Sequence, residues 1–230
     1  MSFIINLNHK IIKVLIMPKK VSLTEIVDKI STIKSKEIKL LRDNEVIKWL
    51  FGNTNFLPEI TPSKNKSNDT NKLKILEDEW GWNKYNDIIQ PEKEISKKQW
   101  TTLFGQTVAR EIYLIKYNNV KKPKKINNLE PDLETDDYIV EVKTQTFYTT
   151  GTAGEKILGS AFKYASVPVL FKKPLIILCL GGAEKICRHQ YGNIGMKGTD
   201  EQQQMLKMWR EKFNISFKAA TLELLSSLEL

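Results

Sequence analysis

Apolar positions first recur at helical spacing after Ser22. Ser22-Leu23-Thr24-Glu25 is a capping-box pattern, and Leu23, Ile26, Val27 and Ile30 follow on one face. A second run over about 36–50 sets Ile38, Leu41, Val46, Ile47 and Leu50 along one side, so the N-terminal part is expected to be a helical subdomain. Residues 61–72 are polar and offer no core, the pattern of a linker or exposed loop. The chain is therefore expected to divide into a helical region with its linker, 1–72, and a larger domain, 73–230.

Within the larger part, residues from Ser96 to about Tyr117 predict a helix whose apolar side carries Leu103, Val108, Ile112 and Ile115. Gly105 inside it either weakens the helix or marks close packing. Tyr138-Ile139-Val140 then runs as a strand into Glu141-Val142-Lys143, preceded by an acidic stretch, 134–137, that suits a hairpin turn. Thr144 to Thr150 either continues that strand or leaves it. Gly151-Thr152-Ala153-Gly154-Glu155-Lys156 opens a helix expected to reach Tyr164. Pro174 precedes the fully apolar stretch 175–180, a strand buried on both faces as at the centre of an α/β sheet, and Gly181-Gly182 ends it. Two further helices are expected over 201–213, capped by Thr199 or Asp200, and over 217–228. The order predicts an α/β fold, a central mixed sheet flanked by helices with helical additions at both ends.

Hydrophobic residues make up 41% of the 230 and charged residues 27%, the balance of a globular protein with room for one full domain. The net charge of +9 favours a polyanionic partner, nucleic acid first and an anionic membrane surface second. Richness in Lys, Ile and Asn gives a competing origin for that charge, an AT-rich coding sequence. Lys116, Lys121, Lys122, Lys124 and Lys125 occur with no acid among them, a solvated loop or a phosphate contact. Cys179 and Cys187 are the only cysteines, and Cys179 sits in the apolar strand, which fits a reducing, cytoplasmic setting without a disulfide framework. The first 17 residues are apolar but interrupted by Lys. They lack a signal-peptide pattern and membrane length, and Met17 is an alternative start. No membrane association is expected.

The candidate chemistry lies in Pro131-Asp132 and Glu141-Val142-Lys143. Strand alternation sends Glu141 and Lys143 to one face and Val142 to the other. If Pro131-Asp132 lies on the neighbouring strand, two carboxylates and an ammonium meet, a set that can hold Mg²⁺ and position water. A shifted pairing would put Asp137 in place of Asp132. His9 and His189 are the only histidines, which makes a histidine metal site or a Ser-His-Asp triad improbable. At the start of the 151–156 helix, Gly151 and Gly154 allow close backbone approach and Lys156 can assist an anion, so a DNA phosphate is one candidate ligand and a plain glycine turn the other. Arg188, Gln190 and Asn193, just beyond the buried strand, are of types that read base edges.

Pro131-Asp132 followed by Glu141-Val142-Lys143 resembles the PD-(D/E)XK nuclease superfamily, especially its type II restriction endonucleases. The likeness covers roughly residues 100–180. It implies a restriction-endonuclease-like core and a Mg²⁺-dependent, site-specific cleavage of double-stranded DNA. Asp132, Glu141 and the Val142 carbonyl would ligate Mg²⁺, with Mn²⁺ as an alternative ion, and Lys143 would sit beside the attacking water. Gln145 would share that work, and Glu111 would add a carboxylate from the preceding helix, unless it is an ordinary exposed helical residue. A palindromic target implies a homodimer. The rival expectations are a structure-specific repair or recombination nuclease, a non-catalytic nucleic-acid-binding protein on the same fold, and a hairpin with ordinary surface charge.

Overall fold

Four strands form one mixed sheet in the computed structural model, which describes residues 21–93, 100–144, 153–185, 187–188 and 198–230. The elements in chain order are α1 (Leu23–Ser31), a 3₁₀ turn (Leu40–Arg42), α2 (Asn44–Leu50), α3 (Lys66–Ile89), α4 (Trp100–Leu114), β1 (Leu133–Glu134) and β2 (Ile139–Thr144). They continue with α5 (Ala153–Lys163), α6 (Val167–Phe171), β3 (Leu175–Leu180), α7 (Asp200–Phe213), β4 (Ile215–Ala219) and α8 (Ala220–Ser227). The sheet order is β1-β2-β3-β4, with β1 antiparallel to β2 and the other pairs parallel. Parallel neighbours need long crossovers, and α5–α6 and α7 lie in the two connections.

The sheet is covered on both sides, which is why β3 is apolar throughout and buried throughout. Val140 and Val142 of β2 and Ile176, Leu178 and Leu180 of β3 join a core with α4, α8 and the N-terminal elements. The alternate residues, Ile139, Leu175, Ile177 and Cys179, pack with Ile157 and Ala161 of α5, with Tyr164 and with Val167 of α6. This is the period-two division of strand side chains between two faces. Cys179 and Cys187 are free thiols, both buried, with sulfurs 3.6 Å apart.

The division at residue 72 is corrected. α3 begins at Lys66 and runs across that position, and one apolar core holds residues from Ile26 to Leu228. Within it Trp49, Trp80 and Phe104 meet ring to ring, tying α2 and α3 to α4. Only 61–65 of the expected linker lacks regular structure, and it is exposed. The helix expected over 36–50 is two elements, because Asp43 is extended and its carboxylate accepts the amides of Glu45 and Val46, starting α2 afresh. The helix expected over 217–228 begins only at Ala220; residues up to Ala219 form the edge strand β4. The helix starts at Ser22 and Thr199 stand, the latter as a reciprocal capping box with Gln202. The described part of the 96–117 helix spans Trp100–Leu114, and Ser96 lies outside the described residues. The first 20 residues, Met17 among them, also lie outside. Among the described residues no helix is long and apolar enough to cross a membrane.

Candidate active site

β1 and β2 pair in the register Leu133↔Val140 and Glu134↔Ile139, which carries on to set Asp132 across from Glu141. The turn between them is held by Thr135, whose amide donates to the Tyr138 carbonyl at 2.9 Å and whose hydroxyl accepts the Tyr138 amide at 2.9 Å. Asp136 and Asp137 sit exposed on that turn, at the far end of the hairpin from Asp132. The register thus places Asp132, and not Asp137, beside Glu141.

The Asp132 amide donates to the Val140 carbonyl at 3.1 Å, and there the ladder ends. Asp132 then supplies the next partner with its side chain: Oδ2 accepts the Val142 amide at 2.7 Å, while Oδ1 accepts from Gln106 Nε2 on α4. Backbone groups repeat their direction every second residue, so the Val142 carbonyl faces the same side as that of Val140, towards Asp132. Burial first, and the charge of Glu141 second, push the Asp132 carboxyl up to about 6, against the opposing pull of these hydrogen bonds and of Lys143.

Glu141 is 4% exposed. Its Oε1 accepts from Lys143 Nζ at 2.7 Å, as two residues on one strand face can arrange. Its Oε2 is buried and has no hydrogen-bond partner, although buried carboxylate oxygens ordinarily have one. Thr144 Oγ1 is likewise buried and unpartnered. Tyr164, at the end of α5, lies against the cluster, and its phenol is held well above the ordinary range by burial and then by the charge of Glu141. Gln106 and Tyr164 escaped the sequence reading. The hint for Gln106 was its neighbour: a Cβ on Gly105 would overlap Thr144 Cγ2, so the glycine lets α4 close on β2 and delivers Gln106 to Asp132.

Two other expectations are corrected. Glu111 is wholly buried and turned away from this cluster: Oε1 accepts the Leu40 amide at 3.0 Å and Oε2 the Leu41 amide at 2.8 Å. It satisfies the start of the 3₁₀ turn, and burial raises its carboxyl pKa. Arg188 is also committed elsewhere. Its Nε donates to Glu184 Oε1 at 2.7 Å and its guanidinium to Thr221 Oγ1 at 3.0 Å, while Glu184 Oε2 accepts the Thr221 amide at 3.0 Å. The three residues lock the segment after β3 to the start of α8, which leaves this guanidinium poorly placed to read a base.

Gln145, Gly151, Gln190 and Asn193 lie outside the described residues. Gly154 falls in the first turn of α5, and Lys156 is exposed on the same helix. Among the described residues no group of three or more His, Cys, Asp or Glu side chains gathers as a metal centre. The acidic set is the pair Asp132 and Glu141. Mg²⁺ is nevertheless compatible with it, because that ion keeps several waters and is commonly held by one or two carboxylates together with substrate phosphate. The unpartnered Glu141 Oε2 is an oxygen of the kind such an ion takes. Compared with family models, curated proteins and solved structures, the chain shows no match, so the site is interpreted from its own residues.

Proposed function

We propose that this protein is a Mg²⁺-dependent nuclease that hydrolyses phosphodiester bonds of double-stranded DNA at specific sites, in the manner of type II restriction endonucleases. One observation carries the reading: a buried, unpartnered carboxylate oxygen on Glu141, beside Asp132 and an ion-paired Lys143, at the end of a strand pair. A buried carboxylate oxygen that makes no hydrogen bond of ordinary length, with only the Tyr164 phenol beside the carboxylate as a further donor, is an oxygen that a cation would complete. From α4 to β3 the described elements run α-β-β-α-α-β, one strand short of the αβββαβ order the resemblance implies, so the element order lends only its hairpin-helix-strand sequence to the reading; the net charge of +9 suits a polyanionic substrate.

Asp132, Glu141 and the Val142 carbonyl would hold the ion, with Mn²⁺ as a substitute. Bound there, Mg²⁺ supplies neutralisation of phosphate charge and a more acidic water. The rest falls to this chain. Gln106 and the Val142 amide orient Asp132. The Lys143 ammonium, anchored on Glu141, directs its remaining protons at the attacking water and a phosphate oxygen. In the hydrolysis the water oxygen bonds to phosphorus, the bond to one ester oxygen breaks, and that oxygen leaves with a proton. A homodimer is the assembly suited to a palindromic site, with one active centre for each strand.

The test is incubation of the purified protein with long, unmethylated duplex DNA and Mg²⁺, beside Lys143→Ala and an EDTA control. Discrete fragments that vanish in both controls are expected. Cutting confined to ends, flaps or junctions would replace site-specific cleavage with structure-specific repair. Binding without any cutting would leave a non-catalytic DNA-binding protein.

A further inference from the structure

The chain between α4 and β1 forms a lysine-rich loop, closed at its tip by a two-residue hairpin turn, that the proposed chemistry does not use. Ile126 and Leu129 exchange both backbone hydrogen bonds, at 3.0 and 2.8 Å, around Asn127 and Asn128. Both asparagines have positive φ, 48° and 62°, the left-handed pair of a tight two-residue hairpin and a conformation asparagine tolerates better than most residues. The base is fixed to the sheet. Lys121 and Glu134 exchange backbone hydrogen bonds at 3.0 and 2.7 Å, and Arg110 Nε donates to the Val120 carbonyl at 3.1 Å.

Lys121, Lys122, Lys124 and Lys125 are all exposed on this loop, against a single carboxylate, Glu130. Glu130 pairs with Lys122 at 2.5 Å, and Lys122 first and Lys125 second lower its carboxyl pKa. Lys121, Lys124 and Lys125 form no salt bridge with any described residue. A rigid turn that presents unpaired ammonium groups and amide tips, with no apolar residue at its corner, suits a phosphate backbone better than a lipid surface, which rewards apolar and aromatic insertion.

Its position gives the charge a purpose. Leu129 stands three residues before Asp132, so the chain between them spans at most about 10 Å. Lys121 itself pairs with Glu134, two residues beyond Asp132, and with one charge per about 3.4 Å of each strand a duplex lying along this sheet edge offers several phosphates to the loop. The major groove admits a two-stranded ribbon, and asparagine side chains both donate and accept.

We propose that the 121–130 loop is a duplex-DNA clamp, in which Lys121, Lys124 and Lys125 grip backbone phosphates beside the active site and Asn127-Asn128 leads into the groove. The proposal rests on duplex DNA as the partner but not on catalysis.

The test is binding of a labelled mixed-sequence duplex to the full chain in EDTA, across a salt series. Lys124→Gln/Lys125→Gln is compared with Lys207→Gln/Lys212→Gln, an equal loss of charge on α7, which packs by the opposite edge strand. Each lost phosphate contact removes about 0.9 from the slope of log affinity against log salt. A slope lowered by about two in the loop variant alone, with affinity at low salt down on the order of tenfold, is the expected result. Equal slopes in the two variants would overturn the clamp while leaving the nuclease reading intact. Loop-dependent binding by a protein that never cuts would support the clamp and sink the nuclease. A wild-type chain with no affinity for duplex in EDTA would overturn the clamp, while the nuclease reading is judged separately by cleavage with Mg²⁺.

Discussion

Asp132 Oδ2 accepts the Val142 amide at 2.7 Å, so a side chain stands where the backbone of β1 would otherwise continue the ladder. The consequence is an interrupted sheet edge. The strand pair ends without leaving a buried amide unsatisfied, and the gap brings a carboxylate opposite Glu141. The cost appears in the pKa of Asp132, pushed up to about 6 by burial and by the neighbouring carboxylate.

That shift sets a pH dependence for the metal-free protein. An acid whose folded pKa is raised stabilises the fold while it is protonated. Its contribution is complete below the ordinary value of 3.8 and is lost as pH rises through about 6. Asp132→Asn imitates the protonated state: its remaining oxygen keeps the Val142 amide and the Gln106 amide can turn its oxygen to the new NH2, unlike the fixed backbone donors of Glu111, so in EDTA at pH 7.5 the variant should be more stable than wild type by on the order of 2 kcal/mol. The gap should close towards pH 4. Urea unfolding of both proteins at several pH values measures it, and saturating Mg²⁺ should raise the wild-type midpoint and not the variant's. A gap that widened on acidification would reverse the assignment.

Gly105 is a second point where packing serves the site. In Gly105→Ala the new methyl would overlap Thr144 Cγ2 and stand 3.0 Å from its Cβ, so turning the threonine side chain relieves only part of the clash and α4 is expected to move off β2. Overpacking of this kind costs about 1–3 kcal/mol. Cleavage should fall as well, since Gln106 moves with its neighbour. Thr144→Ala removes both the methyl and the hydroxyl, and the double variant should regain much of the lost stability. A double-mutant cycle in urea reads the coupling, and additive losses would show that the contact does not limit the approach.

Glu141 and Lys143 were legible because strand alternation is local: two residues apart on one strand are on one face whatever the rest of the chain does. The apolar run of β3 announced burial in the same way. What was not legible depends on chain distant in sequence. Glu111 has the composition of a ligand, and its actual partners, the Leu40 and Leu41 amides, lie some 70 residues away. Arg188 is a divided case: its partner Glu184 stands four residues earlier, a helical spacing the sequence does show, whereas nothing in that segment announced Thr221, which hydrogen-bonds to both. The strand β4 hid within a helical pattern, since its short edge run Ile215–Ala219 leads straight into α8. Asp43 divided an apparently continuous apolar helix by offering its carboxylate to the backbone, which periodicity does not weigh.

Glu111→Gln separates a structural carboxylate from a metal ligand. The amide retains one acceptor oxygen for two backbone donors, Leu40 and Leu41, and leaves one buried N–H without its partner. A stability loss of about 1–3 kcal/mol is expected, with the Mg²⁺ dependence of cleavage unchanged under conditions where the variant is folded. A Mg²⁺ requirement shifted tenfold at wild-type stability would return Glu111 to the metal site.

Arg188 offers the parallel test for recognition. Glu184 is buried, and its oxygens accept from Arg188 and from both the amide and the hydroxyl of Thr221. Arg188→Ala leaves that carboxylate without its cation. Removing one partner of a fully buried pair costs about 3–5 kcal/mol, but the Arg188 side chain is 34% exposed, so water screens the loss to about 1–2 kcal/mol. The pattern of DNA fragments should stay the same, because the guanidinium holds α8 and not a base. In Arg188→Ala/Glu184→Gln no unpaired charge remains, and the double variant should lose less than the sum of the single changes. Thermal unfolding with a parallel digest of one plasmid measures both properties. An altered fragment pattern at unchanged stability would move Arg188 from the scaffold to the DNA-reading surface.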